Sequence, residues 1–124
     1  MTVPLVVVDG ANVVGSVPDG WWRDRAGAAA RLRDRLSSVT SDGLPDLPGP
    51  VEVVLVTEGR ARDVPAAGAV RVEGATGSGD DRIVEIVAAE RDGRRVVVVT
   101  ADRGLRARVT ALGAEVRGPS AVPR

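Results

Sequence analysis

The stretch Val6-Val7-Val8-Asp9-Gly10-Ala11-Asn12 decides the fold. Three β-branched apolar residues in a row, preceded by Pro4 and Leu5 and broken by Asp-Gly, fit a short strand buried on both faces better than a helix. Pro4 to Val8 is therefore read as a strand at the centre of a parallel sheet, delivering Asp9 and Asn12 to its C-terminal end. In open α/β sheets that end is where ligands bind.

Outward from this strand the same reasoning finds its neighbours. Val51 to Val56 reads as a strand ending at Thr57-Glu58-Gly59, and Ala69 to Val72 as a shorter one. Val96 to Val99, the most strongly apolar run, leads into Thr100-Ala101-Asp102, and Glu115-Val116 adds an edge strand. The spacing of Trp22, Ala26, Ala29, Leu32 and Leu36 predicts a helix from about Trp21 to Ser38, with Trp22 as core anchor and Arg25 and Arg33 at the edge of its apolar face. Ser41 to Pro50, rich in Asp, Gly and Pro, reads as a loop. Gly77-Ser78-Gly79 leads into a helix from about Asp80 to Arg91, with Asp80 on the same stripe as Ile83, Val84 and Val87. Leu105, Val109 and Leu112 set the register of a last helix closed by Gly113. Strands and helices in this order call for a parallel sheet with helices on its faces, taken as a single domain over 1–124.

Composition narrows the chemistry. With no Cys and no His, the 124-residue chain has no disulfide, thiol nucleophile, Cys/His zinc site or Ser-His-Asp arrangement. Catalysis must come from carboxylates, amides, hydroxyls and Arg. The formal charge is zero, so a nucleic-acid partner needs a local basic cluster. All 17 basic residues are Arg, which reads as a genomic codon bias before it reads as a phosphate-binding device. The two aromatic residues, Trp21 and Trp22, are too few for an extended base-stacking platform; Trp21 is the candidate for a partner or nucleotide contact. No stretch is long and apolar enough to span a bilayer, and the N-terminus lacks the pattern of a secretory signal, so a cytoplasmic protein with no membrane association is expected.

The carboxylates carry the functional signal. Singly, each has a structural explanation: Asp9-Gly10 a turn, Asp80 and Asp81 partners of a helix dipole, Asp102 an N-cap. Jointly, Asp9, Glu58, Asp80, Asp81 and Asp102 are brought to one sheet edge without His or Lys to neutralise them, and carboxylates so placed need a cation. Mg²⁺ or Mn²⁺ meets that need, and either ion can bind a phosphodiester and activate water for in-line attack. Arg60, Arg62, Arg82 and Arg103 follow these carboxylates in sequence, where they can clamp a phosphate backbone. The run Gly77-Ser78-Gly79-Asp80-Asp81 lacks the Lys of a P-loop, and Gly10 to Gly15 does not form a dinucleotide-binding fingerprint.

Taken together, V-V-V-D-G-A-N, G-D-D-R-I-V-E and V-V-V-V-T-A-D-R-G-L resemble the NYN domain of the PIN-like nuclease superfamily, in particular its YacP-like group, from Val6 to about Leu112. The resemblance implies a Rossmann-like three-layer α/β/α fold, PIN-like, with a mostly parallel central sheet of about five strands. It also implies a metal-dependent ribonuclease acting on RNA. On that reading Asp9, Asp80 and Asp102 hold the Mg²⁺ or Mn²⁺, Asp81 or Glu58 assists through water, and Asn12 orients, while Arg60, Arg82, Arg103 and Thr100 contact substrate. The chain departs from the family pattern in two places. Glu58 stands where many NYN proteins have Asp, and Asp19, Asp24 and Asp34 do not match the acidic residue that PIN domains carry near the first helix. Two alternatives stay open: a catalytically weak RNA-binding or regulatory module, and a metal-dependent nucleotide phosphohydrolase. A homodimer is also kept open.

Overall fold

The computed structural model describes residues 2–124, which form a five-stranded parallel sheet with helices against both faces. In chain order the elements are β1 (Leu5–Asp9), α1 (Gly10–Gly15), a 3-10 turn (Trp21–Arg23), α2 (Arg25–Arg35), α3 (Ser37–Asp42), β2 (Gly43–Leu44), β3 (Leu47–Pro48) and β4 (Glu52–Thr57). There follow β5 (Val70–Gly74), α4 (Gly79–Glu90), β6 (Val96–Val99), α5 (Arg103–Ala111) and β7 (Glu115–Arg117). The sheet order is β5-β4-β1-β6-β7, and all four neighbouring pairs are parallel. The α/β class with about five strands is as expected from the sequence.

Strand alternation sorts the core into two layers. Val6, Val8, Val53, Leu55, Val97 and Val99 pack onto Val13, Leu32, Leu36 and Val39 from α1 to α3. Leu5, Val7, Val54, Val56, Val96 and Val98 pack onto Ile83, Ile86 and Val87 of α4 and Leu105 and Val109 of α5. Strands covered on both faces have no solvent side, so Val6-Val7-Val8 and Val96 to Val99 show no polar alternation. Each such side chain contributes about 1.5–3 kcal/mol by leaving water.

The layering also locates the crevice. The connection leaving β1 covers one face of the sheet, and the helices flanking β6 cover the other. Between these adjacent strands the sheet has its switch point, and the Val8–Val99 register sets Asp9 and Thr100 side by side there.

Three elements depart from the sequence reading. The residues after Asp9 form the short helix α1, because the Asp9 side chain accepts from Asn12 N as its N-cap. The helix expected from Trp21 starts at Arg25, where Asp24 accepts from Gly27 N at 2.9 Å; before it, Gly20 at φ 80° starts a 3-10 turn. Trp22 is thereby rotated off the apolar stripe and is 54% exposed, so it is not the core anchor; Trp21 is half-buried and lies against Gly15. The expected loop Ser41 to Pro50 begins inside α3, whose Ser37 and Thr40 hydroxyls donate to carbonyls three residues back, and then forms the β2–β3 hairpin with Leu44 and Leu47 buried.

Candidate active site

Side-chain parity divides the C-terminal edge of the sheet into two sides. Asp9 continues the parity of Leu5 and Val7, and Thr100 that of Val96 and Val98, so both turn toward α4 and α5. Glu58 is in extended backbone (φ −147°, ψ 168°) and continues Val54 and Val56 to that side. Thr57, in step with Val53 and Leu55, faces α1 and α2.

Asp9 is at the centre, 4% exposed. Its Oδ2 accepts from the Thr100 hydroxyl at 2.8 Å, and its Oδ1 accepts a longer bond of 3.4 Å from Asn12 N. Burial pushes the Asp9 carboxyl up to about 6, with the Asp80 and Glu58 charges adding to the rise and the Thr100 and Asn12 bonds opposing it. The Asp80 carboxyl is raised as well, first by burial and then by the charges of Asp102 and Glu58. Glu58 reaches over the start of α4, where a Cβ on Gly79 would stand 3.0 Å from its Oε1.

Asp102 and Asn12 hold the frame of the site. Asp102 caps α5, its Oδ1 accepting from Leu105 N at 2.9 Å, while its own N–H donates to Thr100 Oγ1 at 3.1 Å. Asn12 Oδ1 accepts from Ala101 N at 2.8 Å, which fastens α1 to the loop after β6. Arg106, one turn into α5, donates from Nε to Thr100 O at 2.8 Å and pins the same loop; nothing in the sequence singled it out.

The remaining residues proposed from sequence divide clearly. Asp81 is exposed and pairs with Arg108 at 2.9 Å, and its backbone N–H donates to the Ser78 cap of α4. Arg82, expected among the phosphate contacts, is engaged in pairs with Glu73 and Glu85 at 3.2 and 3.4 Å. Thr100, expected among the substrate contacts, is fully buried with its hydroxyl bonded to Asp9 Oδ2 and Asp102 N, so in this structure it positions both. Arg60 and Arg103 are exposed.

The donor set is chemically suited to a hard divalent cation: carboxylate oxygens only, two of them raised by burial and by mutual repulsion that a cation would relieve. Among the described residues, no three acidic side chains converge into a complete ligand set. Magnesium keeps several waters and needs only one or two carboxylates, so the donors fit an ion of that kind.

A cleft of about 350 Å³ opens on the other side of Asp9-Gly10, where the sequence singles out only Trp21 and Glu58. Its walls include Gly10, Trp21, Arg25, Thr57, Glu58 and Gly59. Thr57 is 2% exposed, and its Oγ1 has no hydrogen-bond partner among the described residues.

No family model matches the chain, and no curated protein matches it. Solved structures do. The crystal structure of Rae1 (YacP) from Bacillus subtilis superposes with a TM-score of 0.76 at 18% identity, covering 98% of this chain and 71% of that one. The structure of a single-substitution mutant of the same protein gives 0.72 at 18% identity, covering 95% and 71%. The chain thus has a YacP-like fold, in keeping with the resemblance of its motifs.

Proposed function

We propose that the protein is a metal-dependent endoribonuclease of the NYN branch of the PIN-like superfamily. The carrying observation is a buried Asp9 carboxylate, held by Thr100 at the β1–β6 switch point and sharing its electrostatic environment with Asp80 and Glu58. A site that raises two carboxyls with no basic residue bonded to either is poised for a cation. The YacP-like fold supports the same reading.

Asp9 and Asp80 would hold Mg²⁺ or Mn²⁺, with Asp102 and Glu58 reaching the ion through the waters it keeps. When bound, the ion supplies Lewis acidity at the scissile phosphate and lowers the pKa of an attacking water. The chain's own groups set the geometry. Thr100 fixes the Asp9 carboxylate, Asn12 and Arg106 hold the loop that carries Asp102, and the start of α4 presents Asp80. Water adds to phosphorus, the bond to the 3′ oxygen breaks, and the products carry a 5′-phosphate and a 3′-hydroxyl.

Incubating single-stranded RNA with the protein and Mn²⁺ tests the reading: cleavage that disappears in Asp9→Asn, with the folded state retained, supports it. RNA binding without cleavage, indifferent to Mn²⁺, would favour the binding-module alternative, which the open spacing of the carboxylates also accommodates.

A further inference from the structure

The cleft beside the acidic centre is the strongest feature that the nuclease reading leaves unused. It adjoins a second, more open depression walled by Trp22, Arg23, Asp24, Arg25, Gly59 and Arg60, in which the Asp24 carboxylate is engaged in capping α2, and Arg25 and Gly59 line both. Together the two form a continuous path from the rim at Trp22 to Glu58, at the edge of the carboxylate centre.

The charge of this path distinguishes it from the α4–α5 side. There Arg82 and Arg108 are paired with Glu73, Glu85 and Asp81, while Arg103 is exposed, without an ion pair among the described residues and without an aromatic ring beside it. Along the path, Arg23, Arg25 and Arg60 have no carboxylate partner among the described residues; Arg23 and Arg25 instead lie over the rings of Trp22 and Trp21, at 5.8 and 5.4 Å. An arginine on an aromatic face keeps its guanidinium edge free to donate, which suits a phosphate. Two rings, three available guanidinium groups and an inner cleft therefore occur together only on this side.

The inner cleft has further polar features. It falls at the small end of the roughly 300–1,000 Å³ of small-molecule sites, which suits one nucleoside and not a stack of bases. Its walls are mainly apolar, from Gly10, Ala11, Val14, Trp21, Ala29 and Ala61. Besides Arg25, its polar lining comprises Thr57, whose buried hydroxyl has no partner among the described residues and can donate or accept, and the backbone at Glu58, whose carboxylate turns away over the start of α4. A buried hydroxyl without a partner is uncommon, and a ligand with its own donors and acceptors would satisfy it.

We infer that single-stranded RNA approaches the acidic centre along the Trp22–Arg60–Arg25 path and places one unstacked base in the cleft between Trp21 and Thr57. The inference deepens the nuclease reading and rests on it for the identity of the ligand. Arg25 and Arg60 take the phosphates flanking that base, Trp21 forms its apolar wall, and the Thr57 hydroxyl meets its polar edge. The strand is thereby led toward Asp9 from the α2 side.

The two tryptophans are the chain's only aromatic residues, so Trp22→Phe leaves Trp21 as the sole intrinsic fluorophore. Titrating a short single-stranded RNA of mixed sequence into this variant in EDTA should quench Trp21 in a saturable way. Arg25→Gln with Arg60→Gln should weaken binding of a labelled copy of the same RNA at least tenfold and flatten its salt dependence by roughly 1.4 in logarithmic slope, two phosphate contacts' worth. Arg82→Gln should bind as the parent does, and circular dichroism should show each variant folded. RNA that binds without quenching Trp21, or that is indifferent to the Arg pair, overturns the inference, as does the absence of RNA binding. The nuclease reading is tested separately. Quenching and Arg dependence without cleavage in Mn²⁺ would keep the binding path and remove the enzyme; cleavage untouched by the Arg pair would keep the enzyme and remove the path.

Discussion

The Thr100 hydroxyl donates to Asp9 Oδ2 across 2.8 Å, joining the ends of two adjacent parallel strands inside the protein. The bond has two electrostatic consequences. It favours the ionised form of a carboxylate that burial disfavours, and through Asp102 N it ties that carboxylate to the cap of α5.

Asp9 should make stability depend on pH in the absence of divalent cations. Its folded pKa of about 6 lies above its ordinary value of 3.8, so between these values the folded state binds more protons than the unfolded one. The stabilising contribution is complete below 3.8 and is lost as pH rises through 6. At pH 7 the Asp9→Asn variant should therefore be more stable than the parent by about 1–3 kcal/mol while losing any RNA cleavage. Urea unfolding in EDTA at pH 5 and pH 7 checks this: the parent's Asp9-dependent loss across that interval should be absent in the variant.

Thr100→Val keeps the shape and removes the bond. The cost should be about 1–3 kcal/mol, the usual range for a bond to a charged group. Because Thr100 holds the Asp9 carboxyl down, the variant should shift its titration to higher pH. A double-mutant cycle with Asp9→Asn, read by urea unfolding at pH 7, should show the two effects, one destabilising and one stabilising, failing to add.

Gly10→Ala tests the close packing of α1 on β4. A Cβ at Gly10 would stand 2.6 Å from the main-chain oxygen of Val56, which cannot swing aside as a side chain can. The substitution should destabilise the fold by about 1–3 kcal/mol, measurable by thermal unfolding, and should lower any cleavage by displacing Asp9. The glycine of the Asp-Gly motif is thus required by contact across the sheet.

The neighbouring carboxylates Asp80 and Asp81 should behave unequally. Asp80 is partly buried with a raised carboxyl, whereas Asp81 is exposed and paired with Arg108. Asp80→Asn should reduce RNA cleavage at least a hundredfold, and Asp81→Asn less than tenfold with a stability change within about 1 kcal/mol. Initial rates in Mn²⁺ and melting temperatures separate the two.

Most of the architecture was legible because a doubly covered parallel sheet leaves a plain mark: Val6-Val7-Val8 and Val96 to Val99 admit little else. Asp9 and Asp102 were legible as strand-end carboxylates for the same reason. Other features depend on backbone geometry that composition does not encode. Whether Trp21 or Trp22 is buried turns on one cap at Asp24 and one positive φ at Gly20. The diversion of Arg82 to Glu73 depends on which face of β5 adjoins α4, and the Thr57 cleft on strand parity across β4. Arg106 acts on a main-chain oxygen, a partner with no signature in sequence.

The two bonds that close the acidic centre, Thr100 to Asp9 and Ala101 to Asn12, span 91 and 89 residues of a 124-residue chain. Contacts so distant along the chain require loop closure to be overcome before they contribute. During synthesis the acidic groups Asp9, Glu58 and Asp80 all emerge before β6, but without Thr100 and Ala101 the bonds that fix the Asp9 and Asn12 side chains across the sheet cannot form. The centre is therefore among the last things the ribosome makes possible, and a chain interrupted before β6 would carry the carboxylates without the arrangement.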